Sequence, residues 1–162
     1  MSEDTYTNLI NEFFAGGWRV APFIKTVDGY IGVKGWPKRA ATNHAELAAL
    51  IGEHAEKSSK VPILGIVPPK GRYVIDIDTK KNVQALQLWK DRVIEAYGDA
   101  SLGWPNLVVK TKSGGYHLYY SDGSDRLIHS PTNVFGAGSG VDIRGYTGMV
   151  VAPTFIGGDE DW

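Results

Sequence analysis

The sequence predicts an α+β domain, and three observations carry that prediction. Helical and strand-like apolar spacings are interleaved in roughly the first hundred residues, whereas the remainder is almost entirely strand-like. Gly, Pro, Asn and Asp clusters separate nearly every apolar run from the next. The 162 residues, 43% hydrophobic and 22% charged, suit one domain with a sizeable core.

Tyr6, Leu9, Ile10, Phe13 and Phe14 share one helical face, and Gly16-Gly17 ends that helix. Trp18 to Ile24 reads as a strand, Asp28-Gly29 as a turn, and Gly35-Trp36-Pro37-Lys38-Arg39 as a loop. Asn43 and Glu46 have capping-box spacing ahead of a helix that runs to about Lys57 and buries Leu47, Leu50 and Ile51. Ile63 to Val67 is a short apolar strand, turned by Pro68-Pro69-Lys70-Gly71 into the strand Arg72 to Asp78. A helix from about Asn82 to Tyr97 presents Leu86, Trp89, Val93 and Tyr97, with Gly98 as its cap. Leu107 to Thr111 and Tyr116 to Tyr120 flank Lys112-Ser113-Gly114-Gly115, a hairpin signature. Residues 121–139 read as a long mobile loop. Val141 to Arg144 and Met149 to Ala152, around Gly145-Tyr146-Thr147-Gly148, read as a second hairpin, and Gly157 to Asp161 as a loop or linker start.

Charge and composition exclude several classes. The net charge of -1 gives no overall basic footprint, although cations can still gather in one groove. Without cysteine there is no disulfide and no thiolate zinc site. No apolar run approaches the ~18 residues of a membrane span, and the acidic N-terminus is unlike a signal peptide. These features lead to the expectation of a soluble, cytoplasmic protein.

The chemistry lies on three strands. Side chains alternate faces along a strand, so Tyr73, Ile75 and Ile77 point to a core while Val74, Asp76 and Asp78 point the other way. Two carboxylates side by side repel, and a divalent cation relieves the conflict. His117 opposes the apolar face of Tyr116, Leu118 and Tyr120, and Asp142 and Arg144 oppose that of Val141 and Ile143. Converged, these side chains make a metal–phosphate site: carboxylates suit magnesium or manganese, and a guanidinium suits phosphate. The Lys112-Ser113-Gly114-Gly115 turn adds a cation, a hydroxyl and close backbone N–H groups. Each piece also has a plainer reading. Asp76-Ile77-Asp78 fits a solvated strand end, His117 a hydrogen-bonded structural histidine, and Asp142 with Arg144 an ion pair. Lys38, Arg39, Lys80 and Lys81 fit solvated surface, and Trp36 and Trp104 fit packing.

Taken in order, the motifs resemble the archaeo-eukaryotic primase superfamily, and within it the bifunctional primase–polymerase (Prim-Pol) domain of phage and plasmid replication proteins. Tyr73-Val74-Ile75-Asp76-Ile77-Asp78 matches that family's acidic motif of three apolar residues, Asp, apolar, Asp. Gly115-Tyr116-His117 matches its motif of a small residue, any residue and His, and Val141-Asp142 matches its apolar-Asp motif. Lys34-Gly35-Trp36-Pro37 to Thr42 and Val150-Val151-Ala152-Pro153 resemble the flanking text, so that the likeness spans about residues 18 to 154.

The resemblance implies an RRM-like catalytic unit, about residues 69–156, with a mixed or antiparallel sheet. This unit would pack on a small N-terminal α/β unit, about residues 1–68, with the active site in the cleft between. It implies that Asp76, Asp78 and Asp142 hold two divalent ions, magnesium or manganese and not zinc, and that His117 contacts the phosphates of an incoming NTP or dNTP. Lys112, Ser113, Gly114 and Arg144 would add phosphate contacts. Implied partners are a single-stranded DNA template and primer, and a replicative helicase fused or in trans. The chain is then one catalytic domain, either minimal or excised from a longer primase-helicase. Two other readings use the same residues: a metal-dependent nuclease or other phosphotransferase, and a non-catalytic single-stranded nucleic-acid-binding module.

Overall fold

The computed structural model of the protein describes residues 3–153. The reading of the 157–161 tail and the side chain of Tyr6 lie outside the described residues. The chain runs α1 (Glu3–Ala15), β1 (Arg19–Thr26), β2 (Gly29–Gly32), α2 (Trp36–Arg39), α3 (His44–Lys57), β3 (Ile63–Val67) and β4 (Arg72–Ile77). It continues as α4 (Ala85–Tyr97), a 3₁₀ turn (Ala100–Gly103), β5 (Leu107–Lys110), β6 (Tyr116–Ser121), β7 (Val141–Arg144) and β8 (Val150–Val151). The strands form two antiparallel four-stranded sheets, in the orders β2-β1-β3-β8 and β5-β6-β4-β7. The fold is α+β, as expected.

The helix boundaries follow from their caps. At the end of α1, Trp18 N–H bonds to Phe13 O and Gly17 N–H to Phe14 O. This pattern needs a left-handed residue, supplied by Gly17 at φ 75°, and it is closed by an edge-to-face contact between Trp18 and Phe13. At α3, Asn43 Oδ1 accepts from Glu46 N–H at 3.0 Å, while the Glu46 carboxylate reaches back past Asn43 to the Thr42 N–H. Trp36–Arg39, expected as a loop, is a single helical turn, because Pro37 presets φ in its first turn and Gly35 O accepts from Lys38 and Arg39. α4 begins at Ala85 rather than near Asn82, whose side chain instead holds Gln84 N–H. Leu86 and Trp89 pack inward from α4 and Val93 is buried, but Tyr97 is exposed.

Sheet β5-β6-β4-β7 is covered on both faces. On one face, Ile75, Ile77, Leu118 and Val141 pack against Ala85, Leu86 and Trp89 of α4. On the other, Val74, Val109 and Tyr119 join Leu9, Ile10 and Phe13 of α1, Leu47 and Leu50 of α3, and Val20 and Ile66 of the first sheet. In order of appearance the strands of this sheet lie 4-1-3-2, the order of an RRM-like sheet. The connection from β6 to β7, helical in that architecture, carries no helix here. Expected as a mobile loop, it is strapped along β7: Ile143 N–H bonds to Pro131 O, Val134 N–H to Val141 O and Tyr146 N–H to Ile128 O.

The second expected hairpin does not form. β7 pairs with β4 in one sheet, whereas β8 crosses over and pairs with β3 in the other. The turn at residues 145–148 therefore ties the sheets together. Arg19, only 8% exposed, fixes that junction. Its guanidinium lies over the Tyr146 ring and donates to the carbonyls of Pro37, Pro68 and Tyr146. Burial lowers its pKa from the ordinary guanidinium value, with Tyr146 acting in the opposite direction.

Candidate active site

Strand register assembles the site. Asp76 lies directly opposite His117 on β6 and directly opposite Asp142 on β7. Directly paired residues share a face, so Asp142, Asp76 and His117 form one row across three strands, continued by Val109 on β5. The row faces a cleft of about 910 Å³ between the two sheets. Opposite it, Lys25, Tyr30, Trp36, Ile63 and Met149 line the cleft from the first sheet and its flanks. Lys80, Lys81, Lys110 and Lys112 also line it. Cations are thus concentrated at this groove in a chain of net charge -1. Lys80 and Lys81, read from the sequence as solvated surface, line the cleft, and so does Trp36, which also packs edge-to-face on Phe23 at 4.9 Å. Arg39, read the same way, pairs with Glu53 on α3.

Arg144 bridges the row. Its Nη2 donates to Asp76 Oδ2 at 3.0 Å and to Asp142 Oδ2 at 2.7 Å, and its Nε donates to the same Asp76 oxygen at 3.2 Å. Asp142, 7% exposed, also accepts the Asn133 N–H at 2.7 Å, which anchors the β6–β7 strap to the row. The Asp142–Arg144 ion pair of the plainer reading is present, and Asp76 shares it.

His117 is held by packing. Its Nε2 lies 3.7 Å from Asp76 Oδ1, too far for a hydrogen bond, and its buried Nδ1 has no hydrogen-bond partner. That is unlike a structural histidine satisfied by its neighbours. Burial pushes its pKa below the ordinary imidazole value, Asp76 pulls it up, and Arg144 pushes it further down.

Asp78 does not join the row. It follows the last residue of β4, and its Oδ1 accepts the backbone N–H groups of Lys80 at 3.0 Å and Lys81 at 3.3 Å. Its own N–H bonds to Gly140 O. The carboxylate thus caps the turn that leads to α4, an Asx-type role that an Asp at a strand end readily takes. Asp78→Asn should keep this cap, because an amide oxygen accepts the same bonds, whereas Asp78→Ala should lose it and about 1 kcal/mol of stability. Urea denaturation of the two variants checks this, and equal stabilities would refute the capping role.

Across the β5–β6 turn, Thr111 Oγ1 lies 2.9 Å from Ser113 Oγ and accepts the Gly115 N–H at 3.0 Å. Lys112 and Ser113 line the cleft beside the row. A Cβ at Gly115 would lie 2.2 Å from Ile77 O, so only glycine lets the turn approach β4 this closely.

Oxygen donors on facing strands fit a hard divalent cation, and Asp76 and Asp142 already share one cationic partner. Among the described residues, no group of three or more His, Cys, Asp or Glu side chains stands at ligand spacing. The structure brings together Asp76, Asp142, His117 and Arg144, and Asp78 lines the same cleft from its own turn.

The cleft between the two sheets thus holds two carboxylates and an imidazole in register on an RRM-like sheet, a guanidinium beside them and lysines around them, side chains of the kind that bind cations and phosphates. The family model for the bifunctional DNA primase/polymerase N-terminal domain (Prim-Pol) matches residues 11–161, and the chain belongs to that family. It is accordingly a domain with a primase/polymerase role in DNA replication, and its substrates are DNA and nucleotides. No curated protein matches it. Among the described residues, no helix is long and apolar enough to cross a membrane.

Proposed function

We propose that this domain is a DNA-templated nucleotidyltransferase that synthesises and extends primers, working on a single-stranded template with a primer and NTP or dNTP substrates. The observation that carries this reading is the row Asp142–Asp76–His117, held in register and facing the lysine-lined cleft. Asp76 and Asp142 would hold a divalent ion, magnesium or manganese. Asp78, two residues on from Asp76 and lining the same cleft, would serve a second ion once released from its cap. Bound there, the ions would supply charge stabilisation for the attacking 3′-oxygen and the departing pyrophosphate.

The chain's own residues position the reactants. His117, held by packing in the row and lining the cleft, offers an imidazole N–H to a phosphate oxygen. Lys112 and Ser113 contribute charge and a hydroxyl at one edge of the cleft, and Lys80 and Lys81 contribute charge beside Asp78. Tyr30 and Trp36 offer aromatic surface to nucleobases from the opposite wall. Base choice comes from template pairing and requires no base-reading side chain. A replicative helicase, fused or in trans, is the partner that would supply the single strand.

Incorporation of labelled nucleotides on a primed template with magnesium or manganese tests the reading. Asp76→Ala/Asp78→Ala should reduce synthesis by at least about a thousandfold. Wild-type-level synthesis by that variant would sink the assignment. A nuclease would instead shorten DNA without added nucleotides.

A further inference from the structure

We propose that Arg144 is a built-in counter-cation that competes with divalent metal for Asp76 and Asp142, so that the protein binds metal weakly until a nucleotide's phosphates arrive. The inference rests on the metal-dependent reading above and concerns how the site is loaded.

One guanidinium bonds both carboxylates, at 3.0 and 2.7 Å. An ion coordinated by those two oxygens and the guanidinium that now occupies them exclude each other. Both neutralise the same pair of negative charges, so each weakens binding of the other. The Arg144 side chain is 27% exposed and lies at the end of β7 facing the cleft, so it can leave the carboxylates without unpacking the core. Once displaced, it faces a cleft wall whose only remaining carboxylate among the described residues is Asp78, already engaged with its own turn. A triphosphate supplies the missing anion. The same side chain is then a lock on the acids in the empty site and a phosphate contact in the loaded one. Metal and nucleotide are linked through it: whichever binds first frees or attracts Arg144 for the other.

A residue that only contacts phosphate has no effect on metal binding in the absence of nucleotide. A counter-cation has a large one. The test is a Mn2+ titration without nucleotide, read by electron paramagnetic resonance, on wild type, Arg144→Gln and Asp142→Asn/Arg144→Gln. Arg144→Gln should bind Mn2+ about tenfold more tightly than wild type, and the double variant should lose that gain. Equal or weaker binding by Arg144→Gln overturns the proposal. A second measurement needs only a folded wild type. The Arg144 Nε–H resonance, assigned by its loss in Arg144→Lys, should be protected from exchange in metal-free buffer and lose that protection on addition of Mg2+. An unmoved resonance overturns the proposal. Both readouts omit DNA and nucleotide, so their failure is distinct from failure of primer extension by wild type, which would overturn the polymerase reading.

Discussion

Asp142→Asn is expected to leave a folded protein whose templated nucleotide incorporation is lower by at least about a thousandfold. The substitution keeps the shape of the side chain. The amide oxygen can still accept the Asn133 N–H, so the strap from β6 to β7 should stay in place. What is lost is one of the two charges that meet at Arg144. Arg144 keeps Asp76 as a partner and is partly exposed, so the stability loss should be small, about 1 kcal/mol. Circular dichroism and urea denaturation alongside primer extension separate the two effects. An active Asp142→Asn protein would remove Asp142 from the chemistry. An unfolded one would show the residue to be chiefly a loop anchor.

Gly115→Ala is expected to damage both fold and activity. A Cβ there would lie 2.2 Å from Ile77 O, a backbone atom that cannot rotate away. Ile77 pairs with Tyr116, the next pair along from Asp76 and His117. Relief of the overlap must therefore push β6 from β4 where the row crosses the strands. The expected cost is about 3 kcal/mol of stability. The ~1 Å displacements that can cost a site a hundredfold in rate come with it. Gly114→Ala next door would meet only Thr79 Oγ1 at 3.8 Å, and its penalty comes from its φ of 88° alone. Denaturation midpoints and extension rates of the two variants should separate, with Gly115→Ala the more damaged. The reverse order would show that the close approach is not limiting.

The elements legible in the sequence are those whose signals are local. Helix α3 follows from Asn43 and its apolar spacing, the end of α1 from Gly17, and the β5–β6 hairpin from Ser113-Gly114-Gly115. Partner choice is not local. The turn at Gly145-Tyr146-Thr147-Gly148 has the composition of a hairpin, yet β7 and β8 find their partners in different sheets. Within the site, alternation placed Asp76, His117 and Asp142 each on a polar face, but their alignment is a matter of register among strands up to 66 residues apart in sequence. Asp78, which alternation puts on the same face as Asp76, lies just past the end of β4 and caps its own turn while still lining the cleft. That cap has a local signal, because an Asp at a strand end, followed by a short polar turn, is a ready acceptor for its own backbone. Arg19 gave no sign of its burial, because a charged residue opening a strand is indistinguishable from a solvated one until three carbonyls converge on it.

The crossover of β8 has a consequence for how the chain reaches its native state. β3 pairs with β1, at sequence separations from 40 residues (Phe23↔Ile63) to 48 residues (Arg19↔Val67), yet its other edge stays open until Val150 and Val151 arrive. During synthesis on the ribosome, the first sheet therefore emerges long before its last strand does. Val150 and Ala152 also fill the core shared by α1, α3 and both sheets, so that core cannot close early. Non-local closure of this kind slows folding, and an open strand edge held meanwhile invites pairing with other chains. β8 is thus the latch of the described fold, closing both the β3 edge and the shared core.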